Sequence, residues 1–220
     1  MNRPLSIVLM KRLFVLLFSC LFAFCAMAQT SGFMSSEIPD SVFARMKGKS
    51  FATNCTVARS SLCYLRVKHW GKDQHPHDGE LICNKRIAQD LLEIFEELYK
   101  AHYPIERIAL VDNYGADDER SMAANNTSCF NFRTIAGTNR ISKHGQGMAI
   151  DLNPLYNPCV KKNGNVAPKS GKAYAHRRDS RQDIPMKIDR HDLAYKLFVA
   201  HGFRWGGAWP STKDYQHFEK

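Results

Sequence analysis

The sequence predicts an α+β domain, and three observations carry that reading. Ile87, Leu91, Ile94, Phe95 and Leu98 recur at helical spacing between Asn84 and Tyr99. Cys63–Trp70 and Ile105–Asp112 are short runs whose apolar and aromatic content suits strands. A length of 220 residues with 44% hydrophobic and 24% charged content suits one ordinary core and excludes fibrous, low-complexity and wholly disordered classes.

The chain opens with Arg3, Lys11 and Arg12 ahead of an apolar run, Leu13–Ala26, closed by Ala26-Met27-Ala28. That order of charge, apolar stretch and small residues is a secretory signal peptide, expected to be cut after Ala28. The run is short for a membrane span, which needs about 20 residues, so the mature chain is expected to have no stable membrane span and to be secreted or periplasmic. Residues 29–55 read as an N-terminal arm with at most a short helix around Pro39–Met46, and 56–220 as the main domain.

Within that domain, Asp73–Gly79 with His75-Pro76-His77 reads as a solvated turn. Pro104 follows the end of the 84–99 helix, Ile105–Asp112 reads as a buried strand, and Asn113–Ser128 as a long polar surface loop. Phe130–Ile135 alternates like a half-buried strand, with Asn131 and Arg133 on one face and Phe130 and Phe132 on the other. Asn163–Arg181, carrying Lys169, Lys172, Arg177, Arg178 and Arg181, reads as a basic connector. His191–Ala200 is a second amphipathic helix with Asp189 as cap and Gly202 at its end. Phe203–Trp209 and Tyr215–Phe218 close the domain as strands.

The formal net charge is +10, and loss of residues 1–28 removes three positive and no negative charges, leaving +7. A basic surface attracts polyanions. Nucleic acid is not expected as a partner, because charge is its only support: no basic-aromatic motif and no zinc-finger cysteine spacing occurs. Five cysteines remain after signal removal, with no CxxC pair. Export allows disulfides, with Cys129–Cys159 and Cys55–Cys63 as candidate pairings and at least one thiol left over.

Chemistry concentrates in two places. In SKHGQGMAIDLNP, Ser142–Pro154, His144 and Asp151 bracket Gly145, Gly147 and Ala149. Residues seven apart on one strand face opposite ways, so a bend at Gly145–Gly147 is required for the two side chains to converge. At the C-terminus, Asp214 precedes His217 by three residues. Two histidines and a carboxylate with one open position suit a catalytic zinc. A nearby unliganded carboxylate, Asp214, suits the base that takes a proton from water, and an arginine suits the oxyanion.

The pattern SxHxxGxAxD, here Ser142, His144, Gly147, Ala149 and Asp151, resembles the hallmark of the M15 metallopeptidases, which include D-alanyl-D-alanine carboxypeptidases and L-alanyl-D-glutamate endopeptidases. The likeness extends through Asp112–Arg133, LNPLYNP and GFRWGGAWP, over roughly residues 60–220. It implies a zinc cofactor on His144, Asp151 and His217, with Asp214 as base; aspartate there resembles the endopeptidase-like branch. It also implies an arginine that binds substrate, for which Arg133 and Arg120 compete, Arg133 being preferred. Ser142, Asn125, Ser128 and Trp209 are candidate substrate contacts. The implied fold is a central antiparallel sheet bearing zinc on one face, with helices on the other, as in the hedgehog and D-Ala-D-Ala peptidase folds.

The function these residues point to is zinc-dependent hydrolysis of peptidoglycan stem peptides by a monomer. The competing reading is a zinc-containing, non-catalytic wall-binding module of the same fold, against which the presence of Asp214 argues.

Overall fold

A computed structural model describes residues 32–135, 137–177 and 182–220. The expected signal peptide, the first residues of the arm, and Arg178 and Arg181 of the basic connector lie outside the described residues.

The N-terminal half is built on a three-stranded antiparallel sheet. β1 (Met34–Ser36) pairs with β2 (Leu62–Trp70), which pairs with β3 (Pro76–Asn84) in an unbroken register from Leu62↔Asn84 to Trp70↔Pro76. Between β1 and β2 lies helix α1 (Asp40–Met46), entered through Pro39. The expected solvated turn at 73–79 is therefore shorter than read. Gly71 and His75 close it through a backbone hydrogen bond, and His77 already stands on β3 opposite His69. Exposed polar residues at the strand's start hid the pairing.

Helix α2 (Ala88–Lys100) lies across this sheet and buries Leu91, Ile94, Phe95 and Leu98 completely. These share one core with Leu65, Val67 and Leu81 of the sheet and with Phe198, Phe203 and Phe218 from the C-terminal part. A second cluster gathers Ile38, Val42 and Met46 against Leu62, Ile82, Leu110 and Phe130. The arm's β1 and α1 thus contribute directly to sheet and core.

The middle of the chain departs most from expectation. Only Arg107–Ile108 of the expected strand is β (β4), paired in parallel with β5 (Asn126–Thr127). At Ala109 a side chain replaces the ladder: Asn126 Oδ1 accepts from Ala109 N at 2.9 Å, and Asn126 Nδ2 donates to Ala109 O at 2.9 Å. The polar stretch 113–128 keeps its first part on the surface but is not a loop throughout. It folds into helix α3 (Asp118–Ala123), capped by Asp117, and then buries Asn125, Asn126 and Thr127. Nor is 130–135 a strand, because its amides scatter: Phe130 N donates to Ile82 O, Asn131 N to His144 O, and Phe132 N to Ser50 O.

Beyond this lie β6 (Ala149–Asp151), β7 (Cys159–Val160), β8 (Val166–Ala167), helix α4 (Leu193–Ala200), β9 (Arg204–Trp205), β10 (Lys213–Asp214) and β11 (His217–Glu219). Two further three-stranded sheets form, in the orders β6-β11-β9 and β10-β7-β8, so the strands are divided among several small sheets. The cap of α4 is Asp192, whose carboxylate accepts from Ala194 N and Tyr195 N; Asp189 accepts from His191 N one turn earlier. Residues 32–220 cluster as one compact unit. Among the described residues no helix is long and apolar enough to cross a membrane.

Among the described residues Cys55, Cys63, Cys83, Cys129 and Cys159 are free thiols, and neither expected pairing occurs. Cys63 faces Cys83 on the neighbouring strand, Cys129 donates to Gly147 O, and Cys55 donates to Val57 O. Strand register, invisible in cysteine spacing, sets these neighbours.

Candidate metal centre

The strand β11 runs antiparallel to β6 with His217 directly opposite Asp151. Cross-strand partners share a face, so these two side chains meet. Their chain neighbours, Phe218 and Ile150, turn the other way and are fully buried; Phe218 stacks on Phe198 of α4 with ring centroids 4.3 Å apart. Core packing behind the sheet therefore dictates which residues face the front.

His144 arrives from outside the strand. A single turn of 3-10 helix, His144–Gln146, ends at Gly147 with φ of 68°. A Cβ on Gly147 would stand 2.7 Å from Asn84 N, so both its backbone angle and its close approach to β3 require glycine. The bend expected at Gly145–Gly147 is this turn. Ser142 Oγ tightens it by accepting from Gly145 N at 2.9 Å.

The three side chains converge. His144 Nε2 lies 3.2 Å from Asp151 Oδ1 and 3.1 Å from His217 Nδ1, while His217 Nδ1 lies 3.1 Å from Asp151 Oδ1. All three residues are buried. Bonds of about 2.0–2.1 Å to a tetrahedral zinc hold ligand atoms roughly 3.3–3.4 Å apart, close to the spacing here.

The outer hydrogen bonds decide what these atoms offer. His144 Nδ1 lies 2.7 Å from Cys129 O, and a carbonyl can only accept, so Nδ1 carries the proton. His217 Nε2 lies 3.3 Å from the Glu219 carboxylate, which holds its proton on Nε2. With both rings neutral, two imidazole lone pairs and a carboxylate oxygen point into one spot. Three electron-rich atoms so close need a cation between them, and the donor set fits zinc.

The electrostatics carry the same demand. Burial opposes a charge on His217, yet hydrogen bonds to Asp151 and Glu219 outweigh it and push the ring up to about 10. Burial would raise Asp151 too, but His144 and His217 hold it far below the usual carboxylate range. Without a metal, a proton takes the cation's place.

Asp214 is outside the ligand triad and next to it. Burial, and then the Asp151 charge, push its carboxyl up, while His217 opposes them. Gln216 Nε2 donates to its Oδ1 at 3.2 Å, and the Gln216 Oε1 atom is buried without a partner. Gly206 packs against the base of Asp214: a Cβ there would stand 2.7 Å from Asp214 O and 2.9 Å from Asp214 Cβ. Trp209 closes one side, its ring 5.2 Å from that of His217.

The other expected site residues divide. Ser128 exchanges backbone hydrogen bonds with Asp151, fixing that ligand's strand. Arg133 contacts the His144 turn through its backbone, accepting from Ser142 N, and its Nε pairs with Asp118 Oδ2 at 2.6 Å. Arg120 is exposed on α3. Asn125 is spent on structure: it is buried, donates to Glu106 Oε2 at 2.9 Å and accepts from Leu155 N at 3.0 Å. Glu219, Gln216 and Gly206 went unnoticed in the sequence, although Glu219 follows His217 by two and so shares its face.

Fold and site together define a mixed α/β domain with several small antiparallel sheets and, among the described residues, a His/Asp/His group able to hold a metal ion. Residues 136–220 match the profile of a family described as D-alanyl-D-alanine carboxypeptidase, and this match supports an M15-family peptidase. The matched segment holds all three converging residues and Asp214, and excludes Arg120 and Arg133. No curated protein and no solved structure matches the chain.

Proposed function

We propose that this protein is a zinc-dependent peptidase that hydrolyses peptide bonds in peptidoglycan stem peptides. The observation that carries the reading is the meeting of two imidazole lone pairs and a carboxylate oxygen within 3.2 Å, with a second carboxylate, Asp214, beside them and outside the set. His144 Nε2, His217 Nδ1 and Asp151 Oδ1 would hold the ion. Bound zinc supplies Lewis acidity toward water and toward a peptide carbonyl.

The chain's own groups do the rest. Cys129 O and Glu219 orient the two imidazoles before any ion arrives, so binding costs little rearrangement. Asp214, a carboxylate made more basic by burial, accepts the proton that attacking water must lose and can return it to the leaving amine. Arg133, whose backbone supports the His144 turn, is the nearer of the two arginines by chain contact and is assigned to the substrate's negative charge. Ser142, Ser128 and Trp209 border the ligands, and Asn125 supports the loop behind them. The sheet β6-β11-β9, with ligands in front and Phe198 of α4 behind, is read as the metal-bearing sheet of a D-Ala-D-Ala peptidase-like fold.

Export by a signal peptide spanning 1–28, followed by the arm 29–55 and the catalytic region 56–220, places the monomeric enzyme at its substrate. The test is mass spectrometry of muropeptides released from purified peptidoglycan by zinc-loaded protein. Release that stops with chelator, and with Asp214→Ala despite retained zinc, is expected. Tight co-sedimentation with wall and no release from carboxypeptidase or endopeptidase substrates would sink this reading in favour of a binding module.

A further inference from the structure

Three buried thiols lie together behind the metal turn. Cys63 on β2 and Cys83 on β3 are direct register partners, and their Sγ atoms stand 3.6 Å apart. Directly opposed antiparallel residues have Cα atoms about 4.5–5.5 Å apart, inside the 4.4–6.8 Å range that disulfides span. Cys129, the third thiol, is committed elsewhere: its Sγ donates to Gly147 O at 3.6 Å. Side-chain rotation with a small approach of the two strands closes the gap between Cys63 and Cys83, whereas Cys129 would first have to leave its carbonyl.

We propose that Cys63 and Cys83 form a cross-strand disulfide when the protein matures in an oxidising compartment. A disulfide-bearing oxidant, protein or small molecule, supplies the chemistry. The Cys63 thiolate attacks one oxidant sulfur, breaking the oxidant's S–S bond and giving a mixed disulfide. Cys83, having lost its proton, then attacks Cys63 Sγ and expels the second oxidant thiolate. Net, the two cysteines lose two electrons and two protons, and the oxidant becomes two thiols. The Cys63 thiol suits the first step: its contact with Cys83 holds it down at about 7, although burial opposes this. Both thiols are buried in the core under α2, so exchange belongs to the stage when the β2–β3 hairpin has paired and α2 has not yet covered it.

The bond would matter to the site. Cys83 adjoins Asn84, whose N–H donates to Gly147 O at 2.9 Å and whose Nδ2 donates to Gln146 O at 3.2 Å. The end of β3 is thus tied to the turn that presents His144. A covalent clamp one residue away removes unfolded-chain freedom and holds that end in register.

The test uses the full chain, either recovered after export or refolded with oxidised and reduced glutathione, alkylated without reduction and digested with trypsin. Peptide 60–66 linked to peptide 73–85, lighter by two hydrogens than their sum, is expected. Alkylation of both cysteines, or a link from either to peptide 121–133 carrying Cys129, overturns the proposal. Reductant should also lower the midpoint of thermal unfolding by roughly 5–10 °C in the wild type, and leave the Cys63→Ala/Cys83→Ala variant unmoved; an unmoved wild type overturns it equally. Neither readout involves peptidase activity, so failure here is separate from failure of the function proposed above.

Discussion

Glu219 holds the far nitrogen of His217: its Oε2 lies 3.3 Å from Nε2, two residues along the same strand, and Arg204 pairs with the other oxygen at 2.6 Å. The carboxylate fixes which nitrogen of His217 faces Asp151 and His144. A group outside the His/Asp/His set therefore decides which nitrogen the ring can offer to a cation.

Replacing Glu219 by glutamine keeps shape and removes charge. Zinc affinity should fall about 10–100-fold, with the circular dichroism spectrum unchanged. Competition against a chromophoric chelator measures this, and an affinity equal to wild type would show that the contact does not tune the ligand.

Gly206→Ala tests the wall behind Asp214. The new Cβ would press on the Asp214 backbone, which cannot move aside as a flexible side chain would. A displacement of about 1 Å costs on the order of 100-fold in rate, so kcat on peptidoglycan peptides should fall by that order with KM little changed. Wild-type kcat would place Asp214 outside the reaction.

Metal removal should change how stability depends on pH. In the metal-free protein His217 is raised to about 10, above its usual 6.5. Its contribution is therefore complete below about pH 6.5 and is lost as pH rises toward 10. Asp151, depressed in the fold, contributes above its ordinary range and loses only in strong acid. Thermal unfolding of chelated protein should thus weaken between about pH 7 and pH 10. The zinc-loaded form, whose ligands are already deprotonated, should be flatter there and weaken instead as acid protonates the histidines. Parallel slopes in the two forms would refute the cation-centred reading.

Phe198→Ala tests the support of β11, the strand of His217, from behind. Phe198 is fully buried and stacks on Phe218 with rings 17° from parallel. The cavity should cost about 3–5 kcal/mol and lower the unfolding midpoint measurably by calorimetry. Because Phe218 adjoins His217, zinc should also bind more weakly; a large thermal loss with unaltered zinc affinity would mean that the ligand strand is held by its hydrogen bonds alone.

Asn126→Asp probes the side chain that stands in for a strand. Aspartate keeps the acceptor for Ala109 N but cannot donate to Ala109 O or to Ser121 Oγ, both of which Asn126 serves. Leaving buried acceptors unmatched should cost about 1–3 kcal/mol, read as a lower denaturation midpoint in urea at unchanged slope.

By itself the sequence determined what depends on local periodicity and residue chemistry: the helix α2, the strand β2, and the small set of histidines and acids able to bind a cation. The glycines between His144 and Asp151 announced a bend, because seven residues of straight strand would send the two apart. What only the tertiary structure decided was pairing at a distance. The opposition of His217 and Asp151, Cys63 beside Cys83, and Gly206 against Asp214 follow from strand register, which local spacing does not encode. The polar stretch 113–128 misled for the same reason: Asn125 and Asn126 look solvated one at a time, and become buried only when groups distant in the chain arrive to use their donors and acceptors.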